Sequence, residues 1–99
     1  MDKREVVEKL SKYKVLLSKH FDIDKIVLFG SYAKGNQHED SDIDVAIIVN
    51  SIGHDYFSYA PLLWKLRREI DDRIEPVLIE KNHDESGFLN EVLTSGLII

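Results

Sequence analysis

The sequence predicts a single small α/β domain spanning residues 1–99, a sheet covered by helices, and three observations carry that expectation. Amphipathic stripes at helical spacing alternate with short apolar runs, giving the order helix-strand-helix-strand-helix-strand-helix. With 43% apolar residues the chain can fill one core. Its 99 residues leave no length for a second lobe, and no repeat, low-complexity tract or interior linker interrupts them. Any substrate surface beyond the core must come from loops, from another copy of the chain (a homo-oligomer) or from another protein.

Residues 3–20 form the first expected helix, because Val6, Leu10, Tyr13 and Leu17 recur at spacings of four, three and four. Lys25 to Phe29 is a β-rich run stopped by Gly30, and reads as a buried strand. Ser31 to Lys34 is one helical turn with Ser31 as its expected N-cap. The polar residues 35–41 form a loop. Ile43 to Val49 is the strongest strand, and its unbroken apolar run implies burial on both faces. Residues 50–55 are a second loop. Tyr56 to Asp71 is a helix carrying Tyr59, Leu63, Leu66 and Ile70; Pro61 restricts its assured part to 61–70. Arg73 to Ile79 is a third strand in which Pro76 predicts an edge or bulged position. Asp84 to Ser95 is a last helix ended by Gly96, and Leu97 to Ile99 adds an extended segment.

Charge and composition exclude several functions. Thirteen basic against eighteen acidic residues give a net charge of −5, without the basic stripe that duplex nucleic acid requires. With no cysteine there is no disulfide, thiolate metal site or cysteine nucleophile. The charged start and the shortness of the apolar run 45–49 predict no signal peptide and no membrane partner, hence a cytoplasmic protein.

Three pieces can carry chemistry. The first is the strand-Gly30-Ser31-helix turn, where glycine lets a phosphate approach the backbone and a helix start attracts anions. Many such turns contain Gly-Ser for turn geometry alone. The second is Ser41-Asp42-Ile43-Asp44: residues two apart on a strand share a face, roughly 6.5–7 Å apart. Two carboxylates so placed repel unless a cation lies between them, and magnesium suits oxygen donors. A solvated turn pair is the other reading. The third is Glu75, a carboxylate inside an apolar strand, which is costly unless paired or metal-bound. An ion pair with Arg73, or an exposed edge position beside Pro76, would also explain it.

Together, Gly30-Ser31-Tyr32-Ala33-Lys34-Gly35 and Ser41-Asp42-Ile43-Asp44 closely resemble the signature of the DNA polymerase β-like nucleotidyltransferase superfamily. The short length resembles its minimal nucleotidyltransferase branch, prokaryotic proteins often encoded beside a helical HEPN-type partner. The resemblance implies a palm fold with a small mixed sheet. It implies Gly30 and Ser31 as binders of a nucleoside triphosphate, with ATP favoured. It further implies Asp42, Asp44 and Glu75 as catalytic ligands of two Mg2+ ions, transferring AMP to a hydroxyl on a protein or other acceptor. A toxin-antitoxin role is implied too, and a non-catalytic, antitoxin-like binding subunit is the alternative. The family more often has aspartate at the third position. The extra methylene of Glu75 reaches about 1.5 Å farther, for which a strand shift at Pro76 is the expected compensation.

Other polar residues have ordinary explanations. His20, His38, His54 and His83 lie in separate segments with no ligand-like spacing, and Lys34, Arg67 and Arg68 read as solvated. Tyr56, Tyr59 and Trp64 suit core or interface packing.

Overall fold

The computed structural model describes residues 2–38, 41–50, 56–82 and 87–99. The expected loop at 51–55, with His54, and the expected helix start at 84–86, with His83, lie outside these residues. In α1 (Lys3–Leu17) the stripe Val6, Leu10, Tyr13 and Leu17 is fully buried, and the Asp2 side chain caps the helix by accepting from the Glu5 amide at 2.9 Å. The helix stops before residue 20. Lys19 and His20 donate to carbonyls three residues back, the tightened last turn common at helix ends.

The chain continues through β1 (Ile23–Phe29), α2 (Ser31–Lys34), β2 (Ile43–Val49), α3 (Tyr56–Arg67), β3 (Ile74–Glu80), α4 (Phe88–Ser95) and β4 (Leu97–Ile98). The sheet order is β3-β2-β1-β4, with β2 and β3 parallel and the other neighbours antiparallel. The sheet is therefore mixed, and α3 makes the crossover that a parallel pair requires. Helix α3 starts one turn before Pro61 and ends at Arg67, short of the expected residue 71; Glu69 and Ile70 again bond three residues back.

Each face of the sheet has its own apolar layer. Ile26, Leu28, Ile43, Val45, Ile47, Val49, Ile74 and Leu78 pack with α1, Tyr32 of α2, and Leu63 and Leu66 of α3. Val27, Ala46, Ile48 and Ile79 pack on the opposite face against Val92, Leu89 and Phe88 of α4. β2 is thus buried on both sides, as its composition implies. At roughly 1.5–3 kcal/mol per buried large apolar side chain, these two layers outweigh any single polar contact in holding the sheet.

The structure gives the expected proline and glycine positions their physical reasons. Pro76 is at an edge but not at a bulge: the β2–β3 register runs without interruption from Ile43 opposite Ile74 to Val49 opposite Glu80. Ile43 donates to the Arg73 carbonyl and Lys81 to that of Val49, so odd-numbered residues of β3 turn their backbone groups inward. The missing N–H of Pro76 falls on the open edge and costs the ladder nothing. Gly96 ends α4 as expected, in extended geometry (φ −91°, ψ 174°). A side chain there would press on the carbonyl oxygens of Val92 at 2.6 Å and Leu28 at 2.8 Å. Space, not dihedral freedom, explains this glycine.

Candidate active site

The end of the sheet where β1 finishes and β2 and β3 begin gathers every residue singled out for chemistry. Side chains alternate along a strand. Asp42 and Asp44 therefore share the face of Ala46 and Ile48, the face covered farther along by α4. Register then decides the neighbours. Asp44 lies opposite Glu75 on the parallel side and opposite Phe29 on the antiparallel side. Parallel neighbours in register point the same way, so Asp42, Asp44 and Glu75 emerge together, beyond the edge-to-face contact of Phe29 with Phe88 (centroids 5.5 Å). Asp42 is exposed, and Asp44 and Glu75 are half-buried.

The Glu75 carboxyl is raised above the ordinary range by burial and by the neighbouring Asp42 and Asp44 carboxyls. The Asp44 carboxyl is raised by burial and by Asp42, with its Glu75 contact acting the other way. Arg73 instead turns to Asp71, its Nη2 lying 3.3 Å from Oδ2. With the register intact, there is no strand shift at Pro76 to accommodate the longer Glu75 side chain. The all-oxygen, like-charged donor set fits a hard divalent cation. Among the described residues no group of three or more His, Cys, Asp or Glu side chains is already placed as a metal-holding set, so the fit rests on the chemistry of the donors.

Gly30 forms the opposite wall. Its φ of 74° and ψ of −149° belong to a region reserved for glycine. A Cβ there would overlap Asp44 Oδ2 and lie 3.1 Å from its Cγ. The glycine thus brings bare backbone against the carboxylate. It also occupies the N-cap position of α2, so Ser31 is the first helical residue rather than the cap, and no side chain caps this turn. Gly35 closes the turn with φ 78°. Ser41 Oγ accepts from the His38 amide at 2.6 Å, folding the chain back just before Asp42.

The family profile described as "Polymerase beta, Nucleotidyltransferase" matches residues 11–99. The chain belongs to that family. A Methanocaldococcus jannaschii relative, provisionally named a protein adenylyltransferase, is 32% identical over 95 residues, covering 95% of this chain and 93% of its own length. A second relative so named from the same organism is 33% identical over 98 residues, with the same coverage. Among solved structures, a provisionally named nucleotidyltransferase from Sulfolobus solfataricus superposes with a TM-score of 0.71 at 15% identity, covering 97% of this chain and 80% of that one. A toxin-antitoxin structure with AMP-PNP gives 0.62 at 24% identity, covering 99% of this chain and 72% of that one. At these identities the structural likeness is one of fold. The polymerase β-like palm and its mixed sheet are as the sequence resemblance implies.

Of the residues set aside, Arg67 is not solvated as expected: it is half-buried and donates to the carbonyls of Asp72 and Ile74. Lys34, His20, His38 and Arg68 are exposed, and none of the described helices is long and apolar enough to cross a membrane. A groove on α3, lined by Ala60, Pro61, Trp64, Lys65 and Arg68, shares no residue with the carboxylate trio. Trp64 is exposed there, with the Arg67 guanidinium 4.7 Å over its ring. Sequence reasoning missed Asp71, whose carboxylate takes Lys9 Nζ at 2.7 Å and the Arg73 amide at 2.8 Å. The Lys9 partner lies 62 residues away, so no local spacing marks it.

Proposed function

We propose that this chain transfers a nucleoside monophosphate, AMP from ATP, to a hydroxyl group on a protein or other acceptor. One observation carries the reading: the β2–β3 register sets Asp44 beside Glu75, with Asp42 on the same face and Gly30 against Asp44. The provisional adenylyltransferase names of the relatives support it. Gly30 and Ser31 bind the terminal phosphates, the glycine by close backbone approach. Asp42, Asp44 and Glu75 are the residues that would hold magnesium, two ions in the expected scheme. When bound, these neutralise the triphosphate and lower the pKa of the acceptor hydroxyl. The acceptor oxygen then bonds to the α-phosphorus as the bond to the β-phosphate breaks, pyrophosphate leaving in line. The hydroxyl's proton goes to solvent. The residues mainly position and orient the reactants. Because β3 is an edge strand, Glu75 stands on the side open to an acceptor.

Replacing Asp42 and Asp44 together by asparagine is expected to abolish label transfer from α-labelled ATP; undiminished transfer would overturn the reading. A second reading is favoured by the toxin-antitoxin structure of similar fold. In it the chain is a cytoplasmic antitoxin-like subunit that binds a helical HEPN-type protein without catalysis. Label transfer with magnesium and such a partner present separates the two.

A further inference from the structure

We propose that Asp71 is a positioning residue for the carboxylate trio, clamping the start of β3 so that Glu75 stays opposite Asp44. The inference rests on the nucleotidyltransferase reading of that trio. Its starting point is a mechanical weakness. Among the described residues β3 is paired on one side only, Glu75 is its second residue, and the end of an edge strand frays most easily. Glu75 is also the strand position facing two like charges. Repulsion therefore acts at the place where the sheet resists it least.

Asp71 counters this at the strand's entrance. Its side chain is only 11% exposed. Oδ1 accepts from the Arg73 amide at 2.8 Å and Oδ2 from Lys9 Nζ at 2.7 Å, while Arg73 Nη2 lies 3.3 Å away. Its backbone carbonyl accepts from the Ile74 amide at 3.2 Å. One residue thus takes the amides of both residues that precede Glu75. The Arg73 carbonyl in turn accepts from the Ile43 amide at 2.8 Å, a rung lying between Asp42 and Asp44. Lys9 extends the clamp to α1, whose other face is locked in the core. The chain of contacts runs from a rigid helix to the rung that sets the spacing of the three carboxylates.

Three variants grade the clamp. Lys9→Met removes the tie to α1, Asp71→Asn keeps one carbonyl oxygen for the Arg73 amide, and Asp71→Ala removes both. Loss of groups that orient metal ligands costs about 10–100-fold in affinity or activity. Mn2+ affinity by calorimetry is expected to weaken about tenfold in Asp71→Ala, less in Asp71→Asn and least in Lys9→Met. Amide hydrogen exchange should accelerate at Ile74 and Glu75 before the rest of the sheet. For AMP transfer kcat should fall, and raising the Mg2+ concentration should restore part of the loss. Parental Mn2+ affinity in Asp71→Asn and Asp71→Ala, or exchange that rises evenly over the whole sheet, overturns the proposal. If the parent chain binds Mn2+ but transfers no label, the functional reading fails, and Mn2+ affinity and exchange still decide the role of Asp71.

Discussion

Gly30→Ala separates backbone strain from damage to the site, because the structure assigns a different magnitude to each. At φ 74° and ψ −149° an alanine occupies a region open essentially to glycine, at a cost of about 1–3 kcal/mol. For a domain of this size that is a melting temperature lower by about 4–8 °C per kcal/mol. The new methyl also overlaps the Asp44 carboxylate, whose Cγ would be 3.1 Å and Cβ 3.3 Å away. Relief needs a carboxylate movement of about 1 Å, since favourable contact begins near 3.5 Å. A flexible side-chain end makes that movement at little cost in stability. It does cost catalysis, where a 1 Å misplacement is worth about 10²-fold. The assay is a denaturant-melt cycle of parent, Gly30→Ala, Asp44→Ala and the double variant, with label transfer measured for Gly30→Ala. The stability loss should persist with Asp44→Ala, and transfer should fall about 10²-fold when Asp44 is present. A stability loss that disappears in the Asp44→Ala background would refute the strain argument, and unchanged transfer would refute the placement of Asp44.

Other expectations follow from single contacts. Gly96→Ala presses a methyl on two backbone carbonyls that cannot swing aside, so it should cost about 1–3 kcal/mol in chemical denaturation despite an ordinary φ. Asp71 is held down to about 2 against an ordinary 3.8, by hydrogen bonds from Lys9 and Arg73 that outweigh its partial burial. A depressed folded-state pKa contributes stability above the unfolded value, and that contribution disappears as pH falls from about 4 to about 2. After discounting for solvent screening it is worth about 1 kcal/mol, so the melting-temperature gap between parent and Asp71→Asn should close over that window. Pro76→Thr restores an N–H on the open edge of β3, and sedimentation should show more self-association with the β2–β3 ladder kept.

Legibility in the sequence tracked how local the physics was. β2 could be read because both its layers are apolar, and Asp42 and Asp44 because a two-residue spacing fixes their common face. The Gly30 turn was legible as a motif, but not the reason for glycine, since Asp44 approaches it from a neighbouring strand. Ser31 looked like a cap because its residue type suits one, yet the preceding glycine holds that position. Gly96 was legible as the end of α4, but not the reason for glycine, since the carbonyl of Leu28 that crowds it comes from β1. Glu75 had several local explanations, and its place opposite Asp44 could be seen only from the strand register. Asp71 had no signature, because its partner on α1 is set by the tertiary fold.

The stacking of Arg67 on Trp64 gives the chain an optical probe of its own. Trp64 is the single tryptophan, half in solvent, with the guanidinium 4.7 Å above its ring. The same guanidinium donates to the carbonyl of Asp72 and, at 3.3 Å, to that of Ile74. Any loosening of the turn that delivers Glu75 must move this cation relative to the indole. Intrinsic fluorescence therefore follows, without a label, how firmly the third carboxylate is presented.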